Sequence, residues 1–309
     1  AREPEVHLVE GLVAAGPVAA GLAVGCSAAP PATRSTLELR HERDADDAFR
    51  MGRYGVAARR YEYAVGLARA QDDQVVVSRL LLRQGVALSA LGRCRLALPR
   101  LRESAAIRRQ RGDDHGLRLV QLALGRCLAE TGDATAATVA LTRAGHGAAG
   151  CVRVEALAGL GALLAQANDH AGAQAKYAAA AATRCTKPAP IALLAYNRGR
   201  LATRVGQAAE AMALLTQAAA HYATAQDEAG LSDALLGVGQ LHAAAGRAAA
   251  AGDALRRAGH AAWSAARPRR SAQAFLLAAQ QLKKAGRPAE AARCLALGRR
   301  ALPVASTAR

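Results

Sequence analysis

Small, large apolar and polar positions recur along the chain in one order, with a period near 40 residues. The seed is Gly52-Arg53-Tyr54-Gly55-Val56-Ala57-Ala58-Arg59-Arg60-Tyr61-Glu62-Tyr63-Ala64, which reads G-x-Y-x-x-A-x-x-x-Y-x-x-A. Six further copies follow, with the turn residue at Gly92, Gly132, Asn168, Gly206, Gly246 and Gly286, at spacings of 40, 40, 36, 38, 40 and 40. Five residues after the turn stand Ala57, Ala97, Ala137, Ala173, Ala211, Ala251 and Ala291. Four further on stand Tyr61, Leu101, Leu141, Tyr177, Leu215, Leu255 and Leu295, and three beyond those Ala64, Ser104, Ala144, Ala180, Ala218, Ala258 and Gly298. Seven before the turn stand Ala45, Gly85, Gly125, Gly161, Gly199, Gly239 and Ala279.

The three columns after the turn are 3 to 4 residues apart, so they share one helix face. Gly or Asn at the turn ends the preceding helix in a left-handed conformation at little cost. Each copy therefore predicts a helix–turn–helix hairpin. Small residues allow close approach of its helices, and the Tyr/Leu column fills the space between neighbouring hairpins. Gln71-Asp72-Asp73, Gly112-Asp113-Asp114 and Gln226-Asp227-Glu228 occupy equivalent joins, where acidic residues cap the next helix. Pro188 and Pro190 mark the join between the fourth and fifth hairpins as the place for a bend.

These columns resemble the tetratricopeptide repeat (TPR) family over at least residues 38–300. The period departs from the usual 34 and is similar to the longer-helix branch found in kinesin light chains and in adaptors of G-protein α subunits. HEAT repeats share the period but not this order of small and large columns. The resemblance implies an all-α fold, a right-handed α-solenoid of seven hairpins over residues 34–300. Residues 1–33 are then a degenerate eighth repeat or the remnant of a targeting segment, and residues 301–309 a tail.

Composition agrees with a helical reading. The chain has 83 Ala and only nine aromatic residues, which disfavours an all-β domain. A 52% hydrophobic content excludes disorder through low hydrophobicity. The six Cys, at 26, 94, 127, 151, 185 and 294, form no CxxC motif and read as small buried hydrophobes rather than metal ligands. Residues 11–25 are apolar and end at Cys26. One reading is a lipoprotein anchor at Cys26. The acidic flank of Glu3, Glu5 and Glu10 opposes it. The favoured alternative is a degenerate repeat, since Gly16 precedes Gly52 by 36 residues.

No phosphate-binding loop, zinc-protease helix or nucleophile elbow is present. The cluster from His41 to Asp47 reads as a polar helix face, and His170 and His242 as satisfied core histidines. No enzyme activity, metal, cofactor or small-molecule substrate is expected. In the TPR arrangement the first helix of each hairpin lines a concave groove. The groove positions hold Arg79, Arg83, Arg126, Glu130, Tyr196, Asn197, Arg200, Thr203, Arg204, Gln240, Gln280, Lys283 and Lys284. Arginines spaced along one groove suit an acidic or phosphorylated peptide or helix. The carboxylate clamp of chaperone-binding TPR domains is missing: Asn197 stands alone among Ala158, Ala162, Asp233 and Gly237.

The formal net charge is +17, and residues 247–309 hold thirteen basic and two acidic residues. Arg256, Arg257, Arg267, Arg269, Arg270, Arg299 and Arg300 make the dense part of a patch suited to an anionic surface. Only Trp263 and Phe275 could stack on bases there, and Phe275 reads as core. The sequence therefore predicts a protein-interaction scaffold or adaptor whose basic C-terminal end docks within a larger assembly, in a cytoplasmic or organellar complex rather than secreted. An RNA-associated factor and a lipoprotein anchored at Cys26 are the alternatives.

Overall fold

The computed structural model describes residues 36–302 of the 309-residue chain. The readings of residues 1–33, of Cys26 and of most of the tail lie outside the described residues. The described part contains fourteen helices and no strand. They are α1 (Thr36–Arg50), α2 (Tyr54–Ala70), α3 (Gln74–Ala90), α4 (Cys94–Gln110), α5 (Asp114–Glu130), α6 (Ala134–Gly145) and α7 (Gly150–Gln166). Then come α8 (His170–Ala181), α9 (Pro188–Arg204), α10 (Ala208–Thr224), α11 (Glu228–Ala244), α12 (Ala248–Ser264), α13 (Pro268–Lys284) and α14 (Pro288–Ala301).

Successive pairs make seven antiparallel hairpins. All seven turn residues have positive φ, including Asn168 at 64°. The first shows why: Gly52 N donates to Phe49 O at 3.0 Å and Arg53 N to Ala48 O at 2.8 Å. Those two bonds satisfy the last carbonyls of α1 and require a left-handed residue between them. At the joins Asp73, Asp113 and Asp227 accept from Val76 N, Gly116 N and Gly230 N at 2.8–3.0 Å, as the acidic joins predict. Asp133 and Asp169 cap α6 and α8 in the same way.

Packing within a hairpin is a knob in a hole. A Cβ built on Gly85, Gly125, Gly161, Gly199 or Gly239 would lie 2.4–2.8 Å from Leu101, Leu141, Tyr177, Leu215 or Leu255 respectively. The large column thus occupies the space that the earlier Gly column leaves empty. Leu141 and Leu215 are held from the next hairpin too, by Gly159 and Gly237. Tyr61, Leu101, Leu141, Tyr177, Leu215 and Leu255 are all buried, whereas Leu295 in the last described hairpin is 40% exposed. The invariant Ala column is buried throughout. Ser104, Ser232 and Ser271 lie in the core and satisfy their hydroxyls on the carbonyls of Ser78, Ala258 and Gly259, so polarity is buried without loss.

First helices also meet one another: α3 touches α5, α5 touches α7, α7 touches α9 and α9 touches α11. They crowd together on the inner face. The turn between α1 and α2 reaches the end of α12, where a Cβ on Gly52 would stand 3.4 Å from the Ser264 carbonyl oxygen. The described solenoid therefore curls until its first hairpin meets its sixth. At the proline-marked join α9 packs more on α7 than on α8, its immediate predecessor.

Two expectations are corrected. Cys94, Cys127 and Cys294 are buried thiols, but Cys151 and Cys185 form a disulfide with Cα atoms 4.8 Å apart. The bond ties the start of α7 to the segment between α8 and α9. The polar face read over His41–Asp47 is buried in part: Glu42 is buried and pairs with Arg79 and Arg83 of α3, whereas Arg43 and Asp47 are exposed. Of the two histidines read as satisfied core, both are half-buried. His242 Nδ1 meets Arg247 Nε at 2.9 Å, whereas His170 Nδ1 is buried without a partner.

Gly161→Ala drives a methyl into the Tyr177 ring and is expected to destabilise the chain by about 1–3 kcal/mol. Gly66→Ala, on an α2 face with nothing within 4 Å, is expected to stabilise by about 0.5–1 kcal/mol. Urea unfolding of the two variants checks that the signs are opposite. Reducing Cys151–Cys185, a closure of 34 residues, is expected to cost about 3–4 kcal/mol. Calorimetric melting with and without reductant measures it, and a Cys151→Ser/Cys185→Ser variant should be indifferent to the reductant.

Candidate functional site

The inner face holds two cavities of similar size. The first, about 560 Å³, lies between α7, α9 and α11, with Arg270 of α13 at its edge. Five predicted groove residues converge on it: Tyr196, Asn197, Arg200, Arg204 and Gln240. They do so because α9 and α11 run side by side with the same face inward, and Gly199 and Gly237 let Leu215 sit deep behind them. Thr203 lines it too, but its hydroxyl is committed to the Gly199 carbonyl at 2.9 Å.

Each polar group has a distinct setting. Asn197 is buried and donates to the Ala158 carbonyl at 3.2 Å, fixing α9 on α7. Arg204 donates to the Ala165 carbonyl. Arg200 is exposed, stands 5.7 Å from the centre of the Tyr196 ring, and has no carboxylate partner among the described residues. Asp233, which the groove positions did not include, takes Arg267 and Arg270 at 3.1 and 3.0 Å. Burial, and after it the charge of Asp233, raises the pKa of the Tyr196 phenol, which keeps a neutral donor in the site. Burial pushes the Tyr177 phenol up to about 12, with Arg200 and Arg204 pulling the other way.

The second cavity, about 550 Å³, lies between α1, α3, α5 and α7. Phe49, Tyr61, Leu82, Val86, Leu119 and Leu122 make an apolar wall, with Arg83 and Arg126 at its charged margin. Those arginines are already paired. Arg83 holds Glu42 at 3.0 Å and Asp46 at 2.7 Å, Arg79 holds Glu42 at 3.1 Å, and Arg126 pairs with Glu155. The remaining groove positions fall elsewhere. Glu130 sits at the end of α5 and accepts from the Cys94 thiol at 3.3 Å. Gln280, Lys283 and Lys284 are exposed on α13, away from both cavities.

The basic end divides similarly. Arg256 pairs with Asp253, and Arg267 and Arg270 with Asp233. Arg257, Arg269, Arg299 and Arg300 are exposed with no ion pair among the described residues. Phe275 is core and Trp263 is 51% exposed. The acidic partners of Arg79, Arg83, Arg267 and Arg270 escaped the sequence reading because each comes from a neighbouring hairpin, 34 to 41 residues away. The repeat period itself signals such pairs, since residues about 40 apart occupy equivalent places on adjacent hairpins.

No family sequence model and no curated protein sequence matches the chain. Solved structures do. A Rap protein complexed with competence and sporulation factor superposes with a TM-score of 0.57 at 12% identity, over 85% of this chain and 97% of that one. The Cut9 and Hcn1 hetero-tetramer of the APC/C gives 0.55 at 15% identity, over 85% and 52%. A STAND protein with a tetratricopeptide repeat sensor from Pyrococcus horikoshii gives 0.52 at 10% identity, over 85% and 43%. The chain spans about half of the latter two. It has the TPR fold. Identities this low speak for the fold alone. The inner face of the chain is made of stacked first helices. No described helix is long and apolar enough to cross a membrane. No group of three His, Cys, Asp or Glu that could hold a metal occurs among the described residues.

In this TPR solenoid Tyr177 links packing to the site, since its ring fills the Gly161 hole and borders the first cavity. A phenol whose folded-state pKa is raised favours folding while neutral. Its contribution is whole below the ordinary pKa of 10 and is lost as pH rises towards 12. Stability is therefore expected to fall between about pH 10 and 12, and Tyr177→Phe to reduce that slope in urea titrations at fixed pH.

Proposed function

We propose that this chain is a non-enzymatic adaptor whose inner face binds an extended peptide with two anchors. An acidic or phosphorylated side chain meets Arg200 over the Tyr196 ring, and an apolar side chain enters the cavity walled by Phe49, Leu82 and Leu119. The observation that carries this reading is the setting of Arg200. It is the arginine of the central cavity with neither a carboxylate nor a carbonyl partner among the described residues, so it can add an ion pair without breaking one. Arg79, Arg83 and Arg126 would have to surrender Glu42, Asp46 or Glu155 first. The complex of the Rap protein with competence and sporulation factor supports a ligand-binding role by analogy of fold.

The exposed Arg257, Arg269, Arg299 and Arg300 supply the proposed docking of the C-terminal end on an anionic surface. Arg256, Arg267 and Arg270 contribute less charge, being paired within the chain.

Selection of displayed random peptides on the full chain tests the groove. Recovered sequences should combine an acidic and an apolar residue. Arg200→Glu should weaken binding of a selected peptide about tenfold or more, the loss of one charge-assisted contact. Leu119→Gln should weaken it less, and Arg257→Glu should leave it unchanged. Equal binding by Arg200→Glu and the parent chain defeats the groove assignment.

A further inference from the structure

A third cavity, about 510 Å³, lies off the inner face where α4, α5 and α6 end or begin. Its wall is basic: Arg109 from the end of α4, Arg118 from α5, and Arg143 and His146 from the end of α6. No ion pair engages Arg109, Arg118 or Arg143 among the described residues, whereas Arg108, beside Arg109, is paired with Asp113. Asp114 is the single acidic residue of the wall, and it stands beyond ion-pair range of all three. Arg118 is held in place rather than free to swing away: its Nε donates to the His146 carbonyl at 3.3 Å.

The floor of the cavity supplies a second, independent observation. Gln121 lines this cavity and its amide makes no hydrogen bond with any described residue, although the residue as a whole is only 6% exposed. The amide is accessible rather than sealed in the core, so it can serve a ligand. It shares the wall with three guanidinium groups that have no carboxylate partner among the described residues, so the ligand they suit is an anion. Arginine forks match phosphate oxygens in geometry, and an amide N–H₂ adds a neutral donor between them.

We propose that Arg109, Arg118, Arg143 and Gln121 form a site for a pyrophosphate group, carried free or on a nucleoside. Two phosphates are needed because the cations come from three helices, and one tetrahedral anion does not neutralise three of them. The site is separate from the inner groove, so it gives the chain a small-ligand input distinct from peptide binding.

Calorimetric titration of the full chain tests it, with pyrophosphate, ADP, inorganic phosphate and sulfate at one ionic strength. Saturable one-to-one binding of pyrophosphate, tighter than sulfate, is expected. ADP binding as tightly as pyrophosphate assigns the site to a nucleoside diphosphate, and ADP binding more weakly assigns it to the free anion. Arg143→Gln, an exposed position, should weaken pyrophosphate about tenfold, and Gln121→Leu should do so without any change of charge. Circular dichroism confirms that each variant folds. Arg200→Glu should bind pyrophosphate as the parent does, which keeps this result independent of the groove. Absence of saturation at millimolar pyrophosphate, equal affinity for sulfate, or undiminished binding by both Arg143→Gln and Gln121→Leu overturns the site.

Discussion

The fold depends on one steric exchange, repeated hairpin after hairpin: a missing Cβ on the first helix and a large side chain on the second. Leu141 shows its full form, seated between Gly125 of its own hairpin and Gly159 of the next. Glycine inside a helix weakens that helix by about 1 kcal/mol, so the exchange is worthwhile only if the hole is filled. Filling it buries a Leu or Tyr completely and brings two backbones close, which then makes Ala the right size for the surrounding columns. The high Ala content is thus a consequence of the spacing of the helices. It also explains how so few aromatic residues suffice: Leu fills four of the five holes and Tyr177 the fifth.

Close packing of the hairpins places some of the long arginines in the seams between them. There they meet acids one period away, as Arg83 meets Asp46 and Arg267 meets Asp233. The formal +17 therefore overstates the charge available to a partner. What matters is which cations the seams leave over. On the inner face that is Arg200, and at the basic end it is the exposed set around Arg257 and Arg299. Exposed ion pairs contribute little to stability, so their effect here is on the surface potential more than on the fold.

The repeat was legible in the sequence because its columns rest on backbone geometry: a left-handed turn residue, a hole, a knob. All seven turns and the buried large column through Leu255 follow from it. The convergence of Tyr196, Asn197, Arg200, Arg204 and Gln240 on one cavity was legible for the same reason. Contacts between chemically specific side chains on different hairpins were not. Nothing in the spacing of Cys151 and Cys185 distinguishes a bonded pair from two small hydrophobes, because their approach depends on how α7 and α9 pack. Glu42 reads only as part of a polar helix face, and its burial comes from α3 laid over it.

The places where the period breaks are informative in a different way. The intervals of 36 and 38 residues flank the fourth hairpin, and there α6 and α8 have 12 residues where the other described helices between α2 and α13 have 17. A shortened second helix cannot cover the full length of its partner, so the chain bridges the gap with irregular segments at 146–149 and 182–187. The disulfide anchors the second of these to α7, and the third cavity opens beside the first, at His146.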